Sequence, residues 1–231
     1  MSETLHILSA GAARGLVDTL RPRFLAETGC GLQGSFGAVG AMREKLLAGT
    51  PCDLVILTAK MIAELEREGR IVAGSAAPLG RVLTGIAVRH GDPMPDIAGR
   101  DALREALASA DALYFPDPER ATAGIHFAGV LRRLSLYEAA RTRFRTFPNG
   151  ATAMGELARA TTARPIGCTQ VSEILYTPGV TLVGALPAEF ELATVYSVAL
   201  CRENSAARRL VALLAGPEAA AIRIAGGFEP P

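Results

Sequence analysis

The chain has 231 residues, a length that suits one or two compact domains. Apolar residues make up 49% and charged residues 20%, which excludes a disordered chain and requires a packed core. With 24 basic against 23 acidic side chains the formal charge is +1, so no electrostatic case exists for nucleic acid or for an anionic membrane surface.

In chain order, the first candidate strand is "LHIL" (5–8), followed by a helical pattern over 12–28 with Leu16, Leu20 and Phe24 four apart on one face. Pro22 interrupts that pattern and predicts a kink. A weak strand "GLQGSF" (31–36) and a helix over 38–48 precede "DLVIL" (53–57), whose continuous apolar run predicts a strand buried on both faces. A helix over 60–68 closes at Gly69, and "RVLTGIAVR" (81–89) is the next strand. After the polar, proline-bearing stretch "HGDPMPDIAGR" come a helix at 100–109, a strand at 112–115, a helix at 123–134, a strand at 143–147 and a helix at 152–160. "RPIGC" (164–168), "VTLVGAL" (180–186) and "TVYSVALC" (194–201) read as further strands, and two helices split by Pro217 end the chain. This alternation predicts α/β layers with mostly parallel sheets. The strands at 81–89 and 194–201 are placed to carry the chain between two lobes, 1–84 with 198–231 and 85–197, with a cleft between them.

The N-terminus, "MSETLHILSAGAARG", has neither the basic start nor the apolar run of a signal peptide, so the chain reads as cytoplasmic as written, and as periplasmic if a leader has been removed. No span approaches the roughly 18 apolar residues of a membrane helix, so no membrane insertion is expected. Cys30, Cys52, Cys168 and Cys201 lie far apart without metal-ligand spacing, and buried free thiols are expected. No metal and no cofactor are expected: there is neither a Walker GxxxxGK[ST] pattern nor a dinucleotide GxGxxG.

Four junctions share one chemical character: "SAGAARG" (9–15), "SFGAVGA" (35–41), "PERATAG" (118–124) and "PNGATAM" (148–154). Each follows a candidate strand and opens a helix with small residues. A helix start carries about four unpaired N–H groups and roughly half a positive charge, and small side chains let an anion reach them. Taken singly, each reads first as an ordinary strand-to-helix turn. Together they predict a shared anion site. Among side chains, His126 lies just after Gly124, where it could reach such a site as acid or base, although a lone histidine is more often structural. Glu173 is either a cleft carboxylate or a helix-start cap. Ser9 lacks the GxSxG setting of a hydrolase nucleophile.

"LHILSAGAARGLVDTLRPRFLAETG", "GSFGAVGAMREKLLAGTPCDLVILTA", "PDPERATAGIHFAGVLRRL" and "RPIGCTQVSEIL" resemble the molybdate-binding proteins of ABC importers, in order and spacing, from about Leu5 to Pro230. The more specific matches are AG-x-P-x-DL at 48–54 and DPE…AGI at 117–125. The resemblance implies the type II periplasmic-binding-protein fold: two α/β lobes joined by two crossover strands, with an anion in the cleft and an importer's membrane component as a partner. It places the family's first-loop serine at Ala12 and its second-loop serine at Ala38 or Val39. The third-loop backbone donor falls at Ala123, the fourth near Thr152, and the cleft tyrosine at Gln170. Both hydroxyls and the phenol are thus replaced. At roughly 1.5–3 kcal/mol for each bond to a charged group, this weighs against molybdate itself.

Aconitate isomerase, an enzyme on this scaffold, is similar in overall layout, and so an isomerase of a small polycarboxylate is the alternative to a binding protein. For either, Ser9, Arg14, Arg43, Arg120, Thr122 and Gln170 are the polar groups that the sequence puts at or just after the loops, the arginines being suited to carboxylates.

Overall fold

A computed structural model describes residues 4–230; residues 1–3 and 231, the ends of the predicted first lobe, lie outside the described residues. In chain order the strands and helices are β1 (Thr4–Ala10), α1 (Arg14–Thr28), β2 (Gly31–Gly37), α2 (Val39–Leu47), β3 (Leu54–Thr58), α3 (Ala59–Arg67), β4 (Ala77–Arg89), α4 (Arg100–Ser109) and β5 (Ala112–Pro116). They continue with α5 (Thr122–Arg133), α6 (Tyr137–Ala140), β6 (Phe144–Phe147), α7 (Gly150–Ala158), β7 (Pro165–Gln170), α8 (Val171–Tyr176), β8 (Val180–Ala185), β9 (Ala193–Leu200), α9 (Ser205–Ala215) and α10 (Ala220–Ala225). The chain forms two compact units, Met1–Val82 with Thr194–Pro231, and Leu83–Ala193. It passes from the first to the second within β4 and returns at the start of β9.

In the first unit, β1 pairs in parallel with β2, from Thr4↔Gly31 to Ala10↔Gly37, and in parallel with β3. β9 runs antiparallel to β3, from Leu54↔Leu200 to Thr58↔Tyr196. Leu54, Val55, Ile56 and Leu57 are all fully buried, as an apolar strand covered on both faces demands. The helix α1 buries Leu16, Val17, Leu20 and Phe24 and packs against α9. It runs unbroken through Pro22, which sits on its exposed side, so the missing N–H is left toward water rather than toward the core.

In the second unit, β5 has parallel neighbours β6 and β7, while β4 runs antiparallel to β7 and β8. The sheets are therefore mixed rather than mostly parallel, because the two strands that carry the chain across, β4 and β9, both pair antiparallel. Alternation along β5 divides the core. Leu113 and Phe115 join Leu103, Leu107, Phe127 and Leu131 on the face covered by α4 and α5. Ala112 and Tyr114 face Ala153, Met154 and Leu157 of α7 on the other. Both faces are thereby closed, and the carboxyl ends of β5, β6 and β7 are left to lead into α5, α7 and α8. Of these helices α8 had no counterpart in the periodicity; its six residues are too few to show one.

Candidate functional site: helix starts in each unit

In the first unit, two helix starts lie side by side. Ala10 and Gly37, the last residues of β1 and β2, are register partners. Beyond Ala10, a short 3-10 turn (Gly11–Ala13) runs into α1, and beyond Gly37, Ala38 caps α2. The N-cap residues, Ala10 and Ala38, have no side chain that could cap the turn or α2. Ala12 and Val39 are buried and Ala38 is half-buried, so both starts present small apolar surfaces around backbone N–H groups. Ser9 is fully buried and its hydroxyl donates to the Ala10 carbonyl at 2.9 Å. The Arg14 guanidinium lies 5.6 Å from the Phe36 ring centroid and reaches Asp18 at 3.4 Å, while Arg43 bonds Glu68 at 3.1 Å. Both of these predicted carboxylate-binding arginines thus have an acidic neighbour within their own unit.

The second unit repeats the arrangement. Pro116 and Phe147 end β5 and β6 as register partners, and the Asp117 N–H donates to the Phe147 carbonyl at 2.7 Å. Asp117 Oδ1 accepts from the Glu119 and Arg120 N–H groups at 2.8 and 3.1 Å, an Asx turn that reverses the chain into α5. Ala121, in extended conformation, is the N-cap of α5 and has no side chain with which to cap it. Gly124 is obligatory here: a Cβ would meet the main-chain oxygens of Pro116 and Asp117 at a separation real carbon atoms do not reach. Thr122 and Ala123 thus open α5 close against the end of β5, with Ala123 buried.

The fourth start is occupied by the chain itself. Asn149 caps α7, its Oδ1 accepting from the Thr152 N–H at 2.9 Å and from the Thr152 hydroxyl at 3.0 Å. Glu173, from the first turn of α8, reaches over the start of α7, where a Cβ on Gly150 would strike its Oε2 and the Thr169 hydroxyl. That hydroxyl donates to Glu173 Oε2 at 2.6 Å. Burial pushes the Glu173 carboxyl above its ordinary range, partly offset by the Thr169 hydroxyl and the Ala151 and Gln170 N–H groups. Glu173 thus serves two helix starts, its own through the Gln170 N–H and that of α7 through the Ala151 N–H.

Gln170, at the end of β7, is 3% exposed and is the register partner of Thr84. Thr84 Oγ1 and Ser172 Oγ are buried without a hydrogen-bond partner among the described residues. Sequence reasoning missed both; a threonine inside an apolar strand and a serine after a glutamine carry no motif. The His126 Nε2 lies 2.7 Å from the Phe190 carbonyl oxygen, which it meets as a donor, so this nitrogen is engaged in holding the loop after β8. No cluster of three or more metal-ligating side chains occurs among the described residues.

A match to the family of bacterial extracellular solute-binding proteins extends over residues 5–229. The chain belongs to this family. Among solved structures, the periplasmic molybdate-binding protein of Azotobacter vinelandii superposes with a TM-score of 0.78 at 19% identity, covering 98% of this chain and 99% of that one. The sulfate-binding protein SubI of Mycobacterium tuberculosis gives 0.73 at 17% identity, covering 99% and 87%. The fold is thus that of the periplasmic binding proteins. Among curated proteins, aconitate isomerase of a Pseudomonas species is 28% identical over 98% of this chain and 88% of its own length. Within this solute-binding family member, each unit supplies two helix starts at neighbouring strand ends. Three of the four have an alanine at the N-cap, which offers no side-chain acceptor to the first N–H groups, whereas the fourth has Asn149. Among the described residues no helix is long and apolar enough to cross a membrane.

Proposed function

We propose that this solute-binding protein captures a small anion, an oxyanion or a carboxylate, on backbone N–H groups at helix starts whose N-cap residue has no capping side chain. The observation that carries the reading is an alanine, with no side-chain acceptor, at the N-cap of the turn before α1, of α2 and of α5, whereas at α7 the Thr152 and Ala151 N–H groups are taken by Asn149 and Glu173. An N–H donated to a charged acceptor contributes about 1.5–3 kcal/mol, so a few such bonds suffice for micromolar binding without a buried cation. Ala12, Ala38, Val39, Thr122 and Ala123 supply the donors. Ser9 supports the first of these turns through its bond to Ala10. Arg14, at the start of α1, and Gln170, at the end of β7, are the candidate side-chain donors in their own units for a ligand that carries more than one acidic group. Thr152 supports the fourth turn rather than the ligand, since its N–H is spent on Asn149. The ligand-loaded protein delivers to the membrane component of an ABC importer. Calorimetric titration with molybdate, tungstate, sulfate and cis-aconitate tests the reading: one of them binds saturably at one site per chain. Absence of heat and of any thermal shift with all four contradicts it.

The identity with aconitate isomerase favours a second reading, an isomerase that moves a proton on a small polycarboxylate. His126 and Glu173 are its acid–base candidates, with Glu173 carrying the proton that burial favours. Incorporation of deuterium into aconitate from deuterium oxide, lost in Glu173→Gln, supports it; no incorporation at high protein concentration removes it.

A further inference from the structure

Cys52 and Cys201 are 149 positions apart in sequence, yet their sulfur atoms stand 3.3 Å apart. They lie just outside the paired strands β3 and β9, whose ladder reaches Leu54↔Leu200. The backbone around them is fixed: the Cys201 N–H donates to the Asp53 carbonyl at 2.9 Å, and the Asp53 N–H to the His6 carbonyl at 2.8 Å. The buried Asp53 carboxylate also accepts from the His6 N–H at 2.7 Å and from the Arg202 guanidinium. Both thiols are half-buried, whereas Cys30 and Cys168 are buried elsewhere. A disulfide has its sulfurs about 2.0 Å apart, so closure needs a side-chain movement of roughly 1.3 Å and no rearrangement of strands.

We infer that Cys52 and Cys201 form a reversible disulfide that ties together the two chain segments of the first unit. β3 comes from the segment before the second unit and β9 from the segment after it, so the bridge closes a loop holding that entire unit. Such long loops are where a cross-link restricts the unfolded chain most. The oxidant is a small-molecule disulfide. The Cys52 thiolate attacks it, forming a mixed disulfide and releasing one thiolate. The Cys201 thiolate then attacks the Cys52 sulfur and displaces the second. Two electrons pass from the protein sulfurs to the oxidant, and the two protons lost from the cysteines end on the two released thiols. Cys52 is the better first nucleophile because the Cys201 thiol donates to it and lowers its pKa, while Cys201 is pushed up by that same bond and by burial.

The test exposes the reduced full chain to excess glutathione disulfide, followed by alkylation under denaturing conditions, intact mass and non-reducing peptide mapping. The expected product is lighter by two hydrogen atoms before alkylation, takes alkyl groups only on Cys30 and Cys168, and yields one cross-linked peptide pair joining Cys52 to Cys201. Its thermal midpoint rises by roughly 10 °C and returns on reduction. In Cys201→Ser, glutathione stays on Cys52. Retention of four alkylatable thiols in the wild-type chain, or a lasting glutathione adduct on wild-type Cys52 without closure, overturns the inference.

Discussion

The Thr169 hydroxyl donates to the Glu173 carboxyl across 2.6 Å, at the point where α7 begins. Because burial dominates, the folded protein holds the Glu173 proton more tightly than the unfolded chain, whose ordinary value is 4.5. The stability this contributes is fully present below pH 4.5 and declines as pH rises through the folded-state value. Glu173→Gln keeps the shape and one acceptor but cannot ionise. Relative to wild type, the variant therefore gains stability as pH rises from about 4.5 toward neutrality. Urea unfolding across that range checks it; a difference independent of pH contradicts the buried-acid assignment.

Gly124 brings α5 against the end of β5, with no room for a side chain beside the Pro116 and Asp117 carbonyls. Gly124→Ala forces the helix start away from the strand end. The expected cost is roughly 2–3 kcal/mol, read as a lower urea midpoint with an unchanged slope. Anion affinity falls as well, since the Thr122 and Ala123 donors move with the helix.

His126 holds the Phe190 carbonyl through Nε2 at 2.7 Å. His126→Ala removes this bond and should lower stability by about 1–2 kcal/mol while leaving anion affinity within twofold. Titration calorimetry beside urea unfolding separates the two effects. A selective loss of isomerisation in a stably folded variant would instead place His126 in catalysis.

Ala121 has φ −103° and ψ 131°, the extended backbone that a following proline requires. Thr122→Pro therefore deletes one N–H from the start of α5 without breaking the helix. Ala38, at φ −59° and ψ 138°, permits Val39→Pro at α2 in the same way. Each variant should weaken anion binding by about 10-fold or more, the loss of one donor to a charged acceptor. Thermal midpoints without ligand should change little.

Much of the fold was legible because its signals are local. "DLVIL" reads as a doubly covered strand from its apolar run alone, and Leu54–Leu57 are fully buried. The small residues of "PERATAG" announced the start of α5, where Gly124 has no space for a side chain. β4 begins four residues earlier than its apolar pattern, at Ala77, because Pro78 and Gly80 look like loop. β7 extends through Thr169 and Gln170, polar residues whose burial depends on partners far along the chain. What stayed hidden in the site is tertiary in the same sense. The sequence places four equivalent helix starts, but only folding brings Glu173 over α7 and so distinguishes the fourth from the other three. The approach of Cys52 to Cys201 was illegible for the same reason: nothing local in the sequence relates positions 149 apart.

Amide-resolved NMR titration with molybdate, sulfate and cis-aconitate distinguishes an anion received by helix-start N–H groups from one held by a dedicated cationic side chain. At least one anion is expected to produce saturable shifts concentrated at the N–H groups of Gly11–Arg14, Val39–Gly40 and Thr122–Gly124, with Gly150–Thr152 little changed. Saturable binding that leaves all of those amides unmoved, or that moves the start of α7 instead, contradicts reception of the anion at these helix starts.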